Sequence, residues 1–382
     1  MKALDMEPTG RERFLRVMAY ETVDRVPNWE AGVWPQTVKR WEEEGLPPYQ
    51  VNWDWFVGDD YFGFDPREFV PLNWGMMPPF ESKVLEMTER YEVLQDGDGR
   101  VRKALRDGTV GGGRSCMDQY LRFAVNEPRD FEELKKRYPI ERRRRYPVYW
   151  RELLVPGWRA RRHVLVLGRN CAAGGFYWRA RDWMGTEALS CGWYDHPEML
   201  HEMMEFYADF TLRVAEPLLA EVAPDYFIFA EDLAMKTGPL LGPATFKEFI
   251  FPPLRRMVEF LRKRGVRHVG VDSDGNVEAV IPLFLDAGVD FIWPMERAAG
   301  MDPPALRRKF GRSLRLWGGV DKRVLAEGPT AIDRHLRELA PLIREGGFIP
   351  TVDHTVPPDV SLENFRFYLE RKRELLAGRL HP

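Results

Sequence analysis

The sequence predicts an α/β fold built on parallel strands. In the second half of the chain, short apolar runs alternate with longer amphipathic segments, and each run ends in polar or acidic residues. Strands and helices that alternate with short connections form parallel sheets, because each crossover returns the chain to the same edge. A doubly wound sheet and a barrel both fit this pattern. The length of 382 residues suits one large α/β core.

Five strands and five helices make up this regular half. Short apolar runs followed at once by polar residues are typical of buried parallel strands, whereas the longer segments have helical periodicity. The strands are predicted at 226–230, 268–271, 291–294, 314–317 and 347–350. The helices are predicted near 243–264, 276–287, 302–310, 330–345 and 361–376.

The first half is less regular. A helix from Arg11 to Tyr20 and strands at 26–30 and 164–168 are predicted, and a long helix over 197–222 leads into the second half. Between them, 91–94 and 101–105 are predicted to form a β-hairpin, because Asp96-Gly-Asp-Gly99 supplies the positive φ angles of its turn. This hairpin is interpreted as an insertion. With no Pro/Gly/Ser linker or internal repeat, one domain over 1–382 is predicted.

Composition excludes several classes of protein. Hydrophobic residues make up 44% and charged residues 30% of the chain, which argues against disorder, and the net charge of −3 gives no general attraction for nucleic acid. The longest stretch without a charged residue, 69–80, is 12 residues long, against the roughly 20 that cross a bilayer. The first residues also lack the apolar segment of a secretory signal. A cytoplasmic location is expected.

The three cysteines indicate no disulfide framework and no zinc site of the C-x-x-C type. Cys116, Cys171 and Cys191 are odd in number and widely spaced. We expect them to be buried, reduced thiols, and no role is predicted for them.

Polar side chains follow every predicted strand of the second half, which indicates where a site lies. Enzymes with parallel sheets build their sites at the carboxyl ends of the strands, where loops carry the reactive groups. These residues are Glu231 and Asp232, Asp272 and Asp274, Glu296 and Arg297, Asp321, and Asp353 and His354.

Several segments, in this order along the chain, resemble the uroporphyrinogen decarboxylase superfamily. They are Arg11–Leu15, Asp24–Pro27, Glu231–Gly238, Trp317–Asp321 and Val352–Asn364. The resemblance implies a (β/α)8 TIM barrel, here with the hairpin inserted in its first half. It makes a homodimer plausible. The superfamily includes decarboxylases that need no cofactor and cobalamin-dependent methyltransferases that use zinc, so the fold alone does not choose between these activities.

The segment after the first predicted strand differs from that of the decarboxylases. Those enzymes carry R-Q-A-G-R-Y there, with arginines that hold substrate carboxylates, whereas this chain has Trp29-Glu-Ala-Gly-Val-Trp34. A substrate with many carboxylates needs forked cationic partners. The site is therefore expected to bind a less anionic compound, although His354 falls where the decarboxylases place a histidine.

The likeness to the methyltransferases is also partial. Asp272-Ser-Asp274 matches the position of their His-x-Cys pair, and His354 matches a later cysteine. An Asp-x-Asp plus His set suits Zn, Mn, Mg or Fe, and could polarise a substrate oxygen as a Lewis acid. Our main hypothesis is demethylation of a small methylated or methoxylated compound, with the methyl group passed to a corrinoid protein. The alternatives are metal-free decarboxylation of a tetrapyrrole or smaller acid, and a non-catalytic protein that binds a tetrapyrrole or corrinoid.

Each candidate residue receives a predicted role, and several have a structural alternative. The predicted catalytic residues are His354, Glu231 and Asp272, and the predicted metal ligands are Asp272, Asp274 and His354. The predicted substrate-binding residues are Trp29, Trp34, Lys236, Asp321 and Arg297. As alternatives, Asp274 and Asp321 could cap the helices that follow them. Lys236 could pair with Glu231 or Asp232, and Arg297 with Glu296.

Overall fold

The computed structural model describes residues 7–50, 61–110, 113–114, 117–168 and 173–381. It divides into two compact units. Unit 1 comprises Met1–Phe69, Gly157–Val166 and Phe291–Pro382, and unit 2 comprises Val70–Pro156 and Leu167–Asp290. The prediction of one domain over 1–382 stays a prediction.

The strands are numbered in chain order. They are β1 Arg67–Phe69, β2 Lys83–Met87, β3 Tyr91–Gln95, β4 Val101–Leu105, β5 Thr109–Val110, β6 Gly113–Arg114, β7 Gln119–Arg122, β8 Val164–Leu167, β9 Tyr226–Ala230, β10 Ala234–Met235, β11 Gly238–Pro239, β12 His268–Asp272, β13 Phe291–Trp293, β14 Arg315–Trp317 and β15 Phe348–Ile349.

The helices of unit 1 are Gly10–Met18, Pro35–Glu43, Pro303–Phe310, Lys322–Glu327, Pro329–Glu345 and Leu362–Leu376. Those of unit 2 are Pro128–Lys135, Arg142–Arg145, Trp150–Leu153, Phe176–Met184, Thr186–Asp195, Pro197–Leu219, Pro243–Thr245, Phe251–Lys263 and Ile281–Asp286, with a π-helical turn at Phe246–Ile250. The short helix Val155–Ala160 runs from unit 2 into unit 1. Local sequence explains several starts: Thr9 and Glu12 form a capping box, and Asp302 and Ser361 cap their helices.

In unit 1, all strand pairs are parallel. Arg67 of β1 is in register with Val164 of β8, and β14 lies between β13 and β15. Two isolated parallel bridges, Val33 with Val356 and Val320 with Val352, extend this pattern. The predicted strand at 26–30 is not a regular strand, because Val26 N donates to Leu376 O at the end of a helix instead of to a strand neighbour.

Unit 2 contains a parallel pair and an antiparallel sheet. β9 and β12 pair over their full length, from Tyr226 opposite His268 to Ala230 opposite Asp272. The predicted hairpin is present as β3 and β4, and Oδ1 of Asp96 accepts hydrogen bonds from the N–H groups of Asp98 and Arg100 in its turn. β2 and β7 extend it to four strands. Its status as an insertion stays a prediction.

The predicted elements of the second half are confirmed, with boundaries shifted by a few residues. β9 and β12 have almost entirely buried side chains, as expected for parallel strands covered on both faces. The α/β class with parallel strands is thus confirmed, whereas closure into a (β/α)8 barrel stays a prediction. Among the helices of the described residues, none is long and apolar enough to span a bilayer.

Candidate active site

The predicted site residues fall in both units. Glu231, Asp272, Asp274 and Lys236 belong to unit 2, and Trp29, Trp34, Arg297, Asp321 and His354 belong to unit 1. Each cluster is described separately below.

Asp272 is a buried carboxyl at the carboxyl end of β12. Its residue is 7% exposed, and its main-chain oxygen accepts a hydrogen bond from Glu231 N at 2.8 Å. Burial raises the pKa of Asp272 well above its ordinary value, and the negative charges of Asp232 and Asp274 add to the rise. The protonated form is therefore favoured, so Asp272 is suited to donate a proton.

Asp232 connects the ends of β9 and β12. Its backbone has a φ of 37°, in the left-handed region that a non-glycine residue rarely adopts. One carboxylate oxygen accepts from Asp274 N at 3.2 Å, and its main-chain oxygen accepts from Nη1 of Arg181 at 3.0 Å. These contacts hold Asp232 in its strained conformation beside Asp272.

Glu231 is held at the start of a helix. Its two carboxylate oxygens accept hydrogen bonds from Phe176 N at 2.9 Å and Tyr177 N at 2.8 Å. Burial raises the pKa of Glu231 to about 7, although these N–H groups and that of Trp178 oppose the shift. A Cβ at Gly175 would lie 2.4 Å from Cδ of Glu231, so only glycine fits there. Glu231 thus satisfies backbone donors of the helix Phe176–Met184, and its predicted catalytic role stays a prediction.

The structural alternative for Lys236 is wrong, and that for Asp274 stays a prediction. Glu278, the first residue of the short 3-10 helix after Asp274, donates from its N to the side-chain oxygen of Asn276 at 3.0 Å. Lys236 is exposed in the turn between β10 and β11. The cation near Asp232 is Arg181, with 4.0 Å between Nη2 and Oδ2.

In unit 1, Asp353 joins two strand-end loops. Its carboxylate oxygens accept from Arg297 N at 2.8 Å and from Lys322 N at 3.0 Å, after β13 and β14 respectively. Burial raises the pKa of Asp353 to about 6, against these hydrogen bonds and the charge of Lys322. The adjacent His354 is half-buried, with its Nδ1 2.7 Å from Oγ1 of Thr355.

Asp321 and Arg297 take part in local ion pairs. Asp321 caps the helix Lys322–Glu327, as its structural alternative predicted, and Arg323 donates to both of its carboxylate oxygens. Burial would raise the pKa of Asp321, but the hydrogen bonds from Arg323 outweigh burial and lower it. The predicted pair of Glu296 with Arg297 is wrong, because Arg297 binds Asp302 and Glu296 binds Lys322.

The two predicted substrate-binding tryptophans differ in exposure. Trp29 is 1% exposed and lies inside unit 1, where its ring stacks on Trp317 at 5.1 Å and its Nε1 donates to Asp65 O. Trp29 is therefore a core residue, contrary to the expectation that it lines an open pocket. Trp34 is half-exposed at the start of the helix Pro35–Glu43 and is the better placed of the two for a ligand.

Glu30 is part of a buried network that sequence reasoning did not find. One of its carboxylate oxygens accepts from Lys372 Nζ and from the Tyr368 hydroxyl, and the other accepts from Val352 N at 2.8 Å. In the segment where the decarboxylases carry arginines for the substrate, this chain has Trp29 and Val33 at the arginine positions and, between them, a carboxylate that is neutralised internally. No local signal in the sequence links residues so far apart.

Within the part of the chain that the structure describes, no group of three His, Cys, Asp or Glu side chains is arranged to hold a metal ion. The three predicted ligands Asp272, Asp274 and His354 thus do not form a ready coordination group, and the metal site stays a prediction. Cys191 is a free thiol, as expected, but it is exposed, so the expectation that it is buried is wrong. Cys116 and Cys171 lie outside the described residues.

Comparisons with known proteins identify the family of the chain. The model of the uroporphyrinogen decarboxylase (URO-D) family matches residues 183–375. The chain is 27% identical to the uroporphyrinogen decarboxylase of Nocardia farcinica over 175 residues, which are 44% of this chain and 46% of that protein. It is also 27% identical to that of Hahella chejuensis over 199 residues, which are 48% and 50% of the two chains. The chain spans about half the length of these curated relatives.

A solved structure resembles the chain over nearly all of its length. A methyltransferase from Methanosarcina mazei superposes with a TM-score of 0.58 and covers 96% of this chain and 99% of its own. With 15% sequence identity, this likeness shows a shared fold and says nothing of activity.

Proposed function

The chain belongs to the uroporphyrinogen decarboxylase (URO-D) family, and from this membership we propose an enzyme that removes a methyl group from a small methylated or methoxylated compound. The observation that carries the proposal is Asp272, a buried carboxyl that favours its protonated form beside two further carboxylates. A reduced corrinoid on a partner protein would supply the electron pair that receives the methyl group. Activity, substrate and partner are all part of this proposal.

Asp272 acts as the proton donor in this reaction. When the bond between the methyl carbon and the substrate oxygen breaks, the oxygen keeps the electron pair and takes the proton of Asp272. Solvent then returns a proton to the carboxylate. Asp232 and Asp274 support the step, because their charges hold the proton on Asp272 until the leaving oxygen needs it.

The Glu30 network supports demethylation over decarboxylation of uroporphyrinogen. Lys372 is the cation next to Glu30, and it is fully buried and already paired. It therefore offers no charge to a substrate carboxylate, and the arginines of the decarboxylases have no replacement at this position. A substrate with few carboxylates follows from this arrangement.

The experiment is an assay of the purified protein with chemically reduced cobalamin as acceptor and a panel of methoxylated and methylated compounds. Asp272→Asn keeps the size of the side chain and removes the transferable proton, so we expect the demethylation rate to fall about 100- to 10,000-fold. Asp286→Asn, at an exposed carboxylate of the same unit, is the matched control. Equal rates for wild type and Asp272→Asn would reject the role of Asp272.

The competing hypothesis is that Asp272, Asp274 and His354 bind a metal ion, in which case Asp272 does not donate a proton. Elemental analysis of wild type, His354→Ala and Asp272→Ala after incubation with Zn, Mn and Fe tests it. Near-stoichiometric metal that is lost in both variants would establish the metal site and remove the proton from Asp272. Protein without metal in all three cases would reject the metal site and leave the proton-donor account in place.

Decarboxylation is the second candidate, because the curated relatives are uroporphyrinogen decarboxylases. In that reaction Asp272 would protonate the carbon that loses carbon dioxide. Incubation with uroporphyrinogen and measurement of released carbon dioxide distinguishes the two reactions. A protein that changes neither substrate class but gains visible absorbance from a tetrapyrrole or corrinoid would be a binding protein.

The predicted homodimer is tested by light scattering of the same preparation.

A further inference from the structure

Arg181 is a partly exposed arginine with most of its hydrogen-bonding capacity unused. It lies in the last turn of the helix Phe176–Met184, and its side chain is 25% exposed. Nη1 donates to Asp232 O at 3.0 Å, and Nη2 is 4.0 Å from the Asp232 carboxylate, too far for a hydrogen bond. A guanidinium has five N–H donors. Among the residues that the structure describes, only one of the five is therefore satisfied.

Two aromatic rings lie close to this guanidinium. Its Cζ lies 4.8 Å from the centre of the Trp178 ring and 5.9 Å from that of Tyr177. An arginine that packs on aromatic faces keeps its planar edge available for a planar acceptor, and a carboxylate matches the spacing of that edge. The rings and the hydrogen bond to Asp232 O therefore favour this position of the side chain before any ligand binds.

A second unsatisfied donor lies beside Arg181. Tyr177 is fully buried, and its hydroxyl has no hydrogen-bond partner within the described part of the chain. A buried polar group without a partner costs about 1–3 kcal/mol. Burial raises the pKa of Tyr177 against the opposing charge of Arg181, so the hydroxyl keeps its proton. The remaining donors of Arg181 and the Tyr177 hydroxyl together indicate a ligand that brings acceptor oxygens.

We propose that Arg181 binds the carboxylate of the substrate, which is a small monocarboxylic acid. This inference rests on the proposed demethylation, because it names the substrate class for the same site. Asp232 connects the two functions: its main-chain oxygen accepts from Arg181, and the preceding residue, Glu231, donates from its N to the main-chain oxygen of Asp272. The substrate is thus anchored by its carboxylate at an arginine that contacts Asp232, which lies next to Glu231, the residue bonded to the main chain of Asp272.

Because Arg181 is a single cation, the site is suited to a substrate with one carboxylate. A ligand carboxylate at the free edge of Arg181 makes two short charge-assisted hydrogen bonds, whereas the Asp232 carboxylate offers a single distant contact. Further substrate carboxylates would meet Asp232 and Asp274 instead of cations. The site therefore selects against compounds with several carboxylates.

The test is calorimetric titration of the full chain with para-methoxybenzoate, benzoate and acetate, and with para-methoxybenzamide as a neutral compound of the same shape. We expect para-methoxybenzoate to bind at least about 10-fold more tightly than the amide. Arg181→Gln should weaken binding of the acid about 10- to 100-fold, and Arg181→Lys less, because lysine cannot form the fork. Arg255→Gln is the matched control, since Arg255 pairs with Glu259 on an exposed helix face of the same unit.

Thermal unfolding of each variant confirms that it is folded. Equal affinity of wild type for the acid and the amide, unchanged affinity in Arg181→Gln, or no binding of any of the three acids at millimolar concentration would each overturn the inference. The binding assay is independent of methyl transfer. If the acids bind through Arg181 but no compound is demethylated, the proposed function fails and the carboxylate site stands. If neutral compounds are demethylated without any need for Arg181, the carboxylate site fails and the proposed function stands.

Discussion

Lys372 donates from Nζ to Oε1 of Glu30 inside unit 1, and the two side chains are 0% and 1% exposed. Lys372 also donates to Trp29 O at 2.5 Å. Two opposite charges without access to water depend on each other, because neither can be solvated alone. This pair fixes the segment that in the decarboxylases would carry substrate-binding arginines.

We predict that Lys372→Met destabilises the protein by about 3–5 kcal/mol, since it leaves the Glu30 carboxylate buried and unpaired. The double variant Glu30→Gln with Lys372→Met should lose much less, because it removes both charges. Lys39→Met, at an exposed lysine of the same unit, is the control. Urea unfolding measures the free energy of unfolding of wild type and of the three variants. A Lys372→Met variant as stable as the Lys39→Met control would contradict the account of the pair.

The raised pKa of Glu231 predicts how stability depends on pH. This pKa is about 7 in the folded protein, against 4.5 for an ordinary glutamate. Between these values the folded state binds more protons than the unfolded state, so the contribution of Glu231 to stability declines as pH rises. The decline is at most about 1.4 kcal/mol per pH unit.

We expect Glu231→Gln to remove this decline. Urea unfolding of wild type and variant from about pH 4.5 to about pH 7.5 measures it, because the other titrating groups are shared and cancel in the difference. Glu187→Gln, at an exposed glutamate of the same unit, should leave the pH dependence as in wild type. A constant difference between wild type and Glu231→Gln over this range would show that Glu231 titrates normally.

Gly318 is the position where a larger residue is least tolerated at the strand ends of unit 1. Its φ is 103°, and a Cβ would lie 1.8 Å from Pro294 O. We predict that Gly318→Ala destabilises the protein by more than about 2 kcal/mol, because strain and the backbone clash add. Gly10→Ala, in the first turn of a helix where a Cβ would lie 4.0 Å from Arg162 O, should be neutral or slightly stabilising. Thermal unfolding of both variants tests this, and equal melting temperatures would refute it.

The strands and their polar ends could be predicted from the sequence because both are local properties. Apolar runs placed β9 and β12 correctly, and parallel topology then placed Asp272 at a strand end. The partners of these residues could not be predicted. The donors to Glu231 come from a helix about 55 residues earlier, and Lys372 lies 342 residues from Glu30. Such pairs depend on tertiary packing, which no spacing in the sequence records.

Local pattern also failed to separate binding residues from structural ones. Asp321 and Asp272 both follow a predicted strand, yet Asp321 caps a helix and binds Arg323, whereas Asp272 is buried beside two carboxylates. No sequence motif marks Arg181 as a binding residue, because its position depends on a hydrogen bond to the Asp232 carbonyl, 51 residues away. The difference between these residues is one of burial and partners.

Asp272 finally predicts the pH dependence of the proposed demethylation. A proton donor is active only in its protonated form, so kcat/KM should be constant at low pH and fall as pH rises through the raised pKa of Asp272. Rates measured from about pH 5 to about pH 9 define this limb. Asp272→Asn should show a low rate that does not fall with pH. Asp286→Asn should follow wild type, since its exposed carboxylate lies outside the proposed chemistry.

A metal-bound Asp272 would give the opposite result, because a carboxylate that holds a metal must be deprotonated, and the rate would then rise with pH. The direction of the pH profile therefore separates proton donation from metal binding at the same side chain.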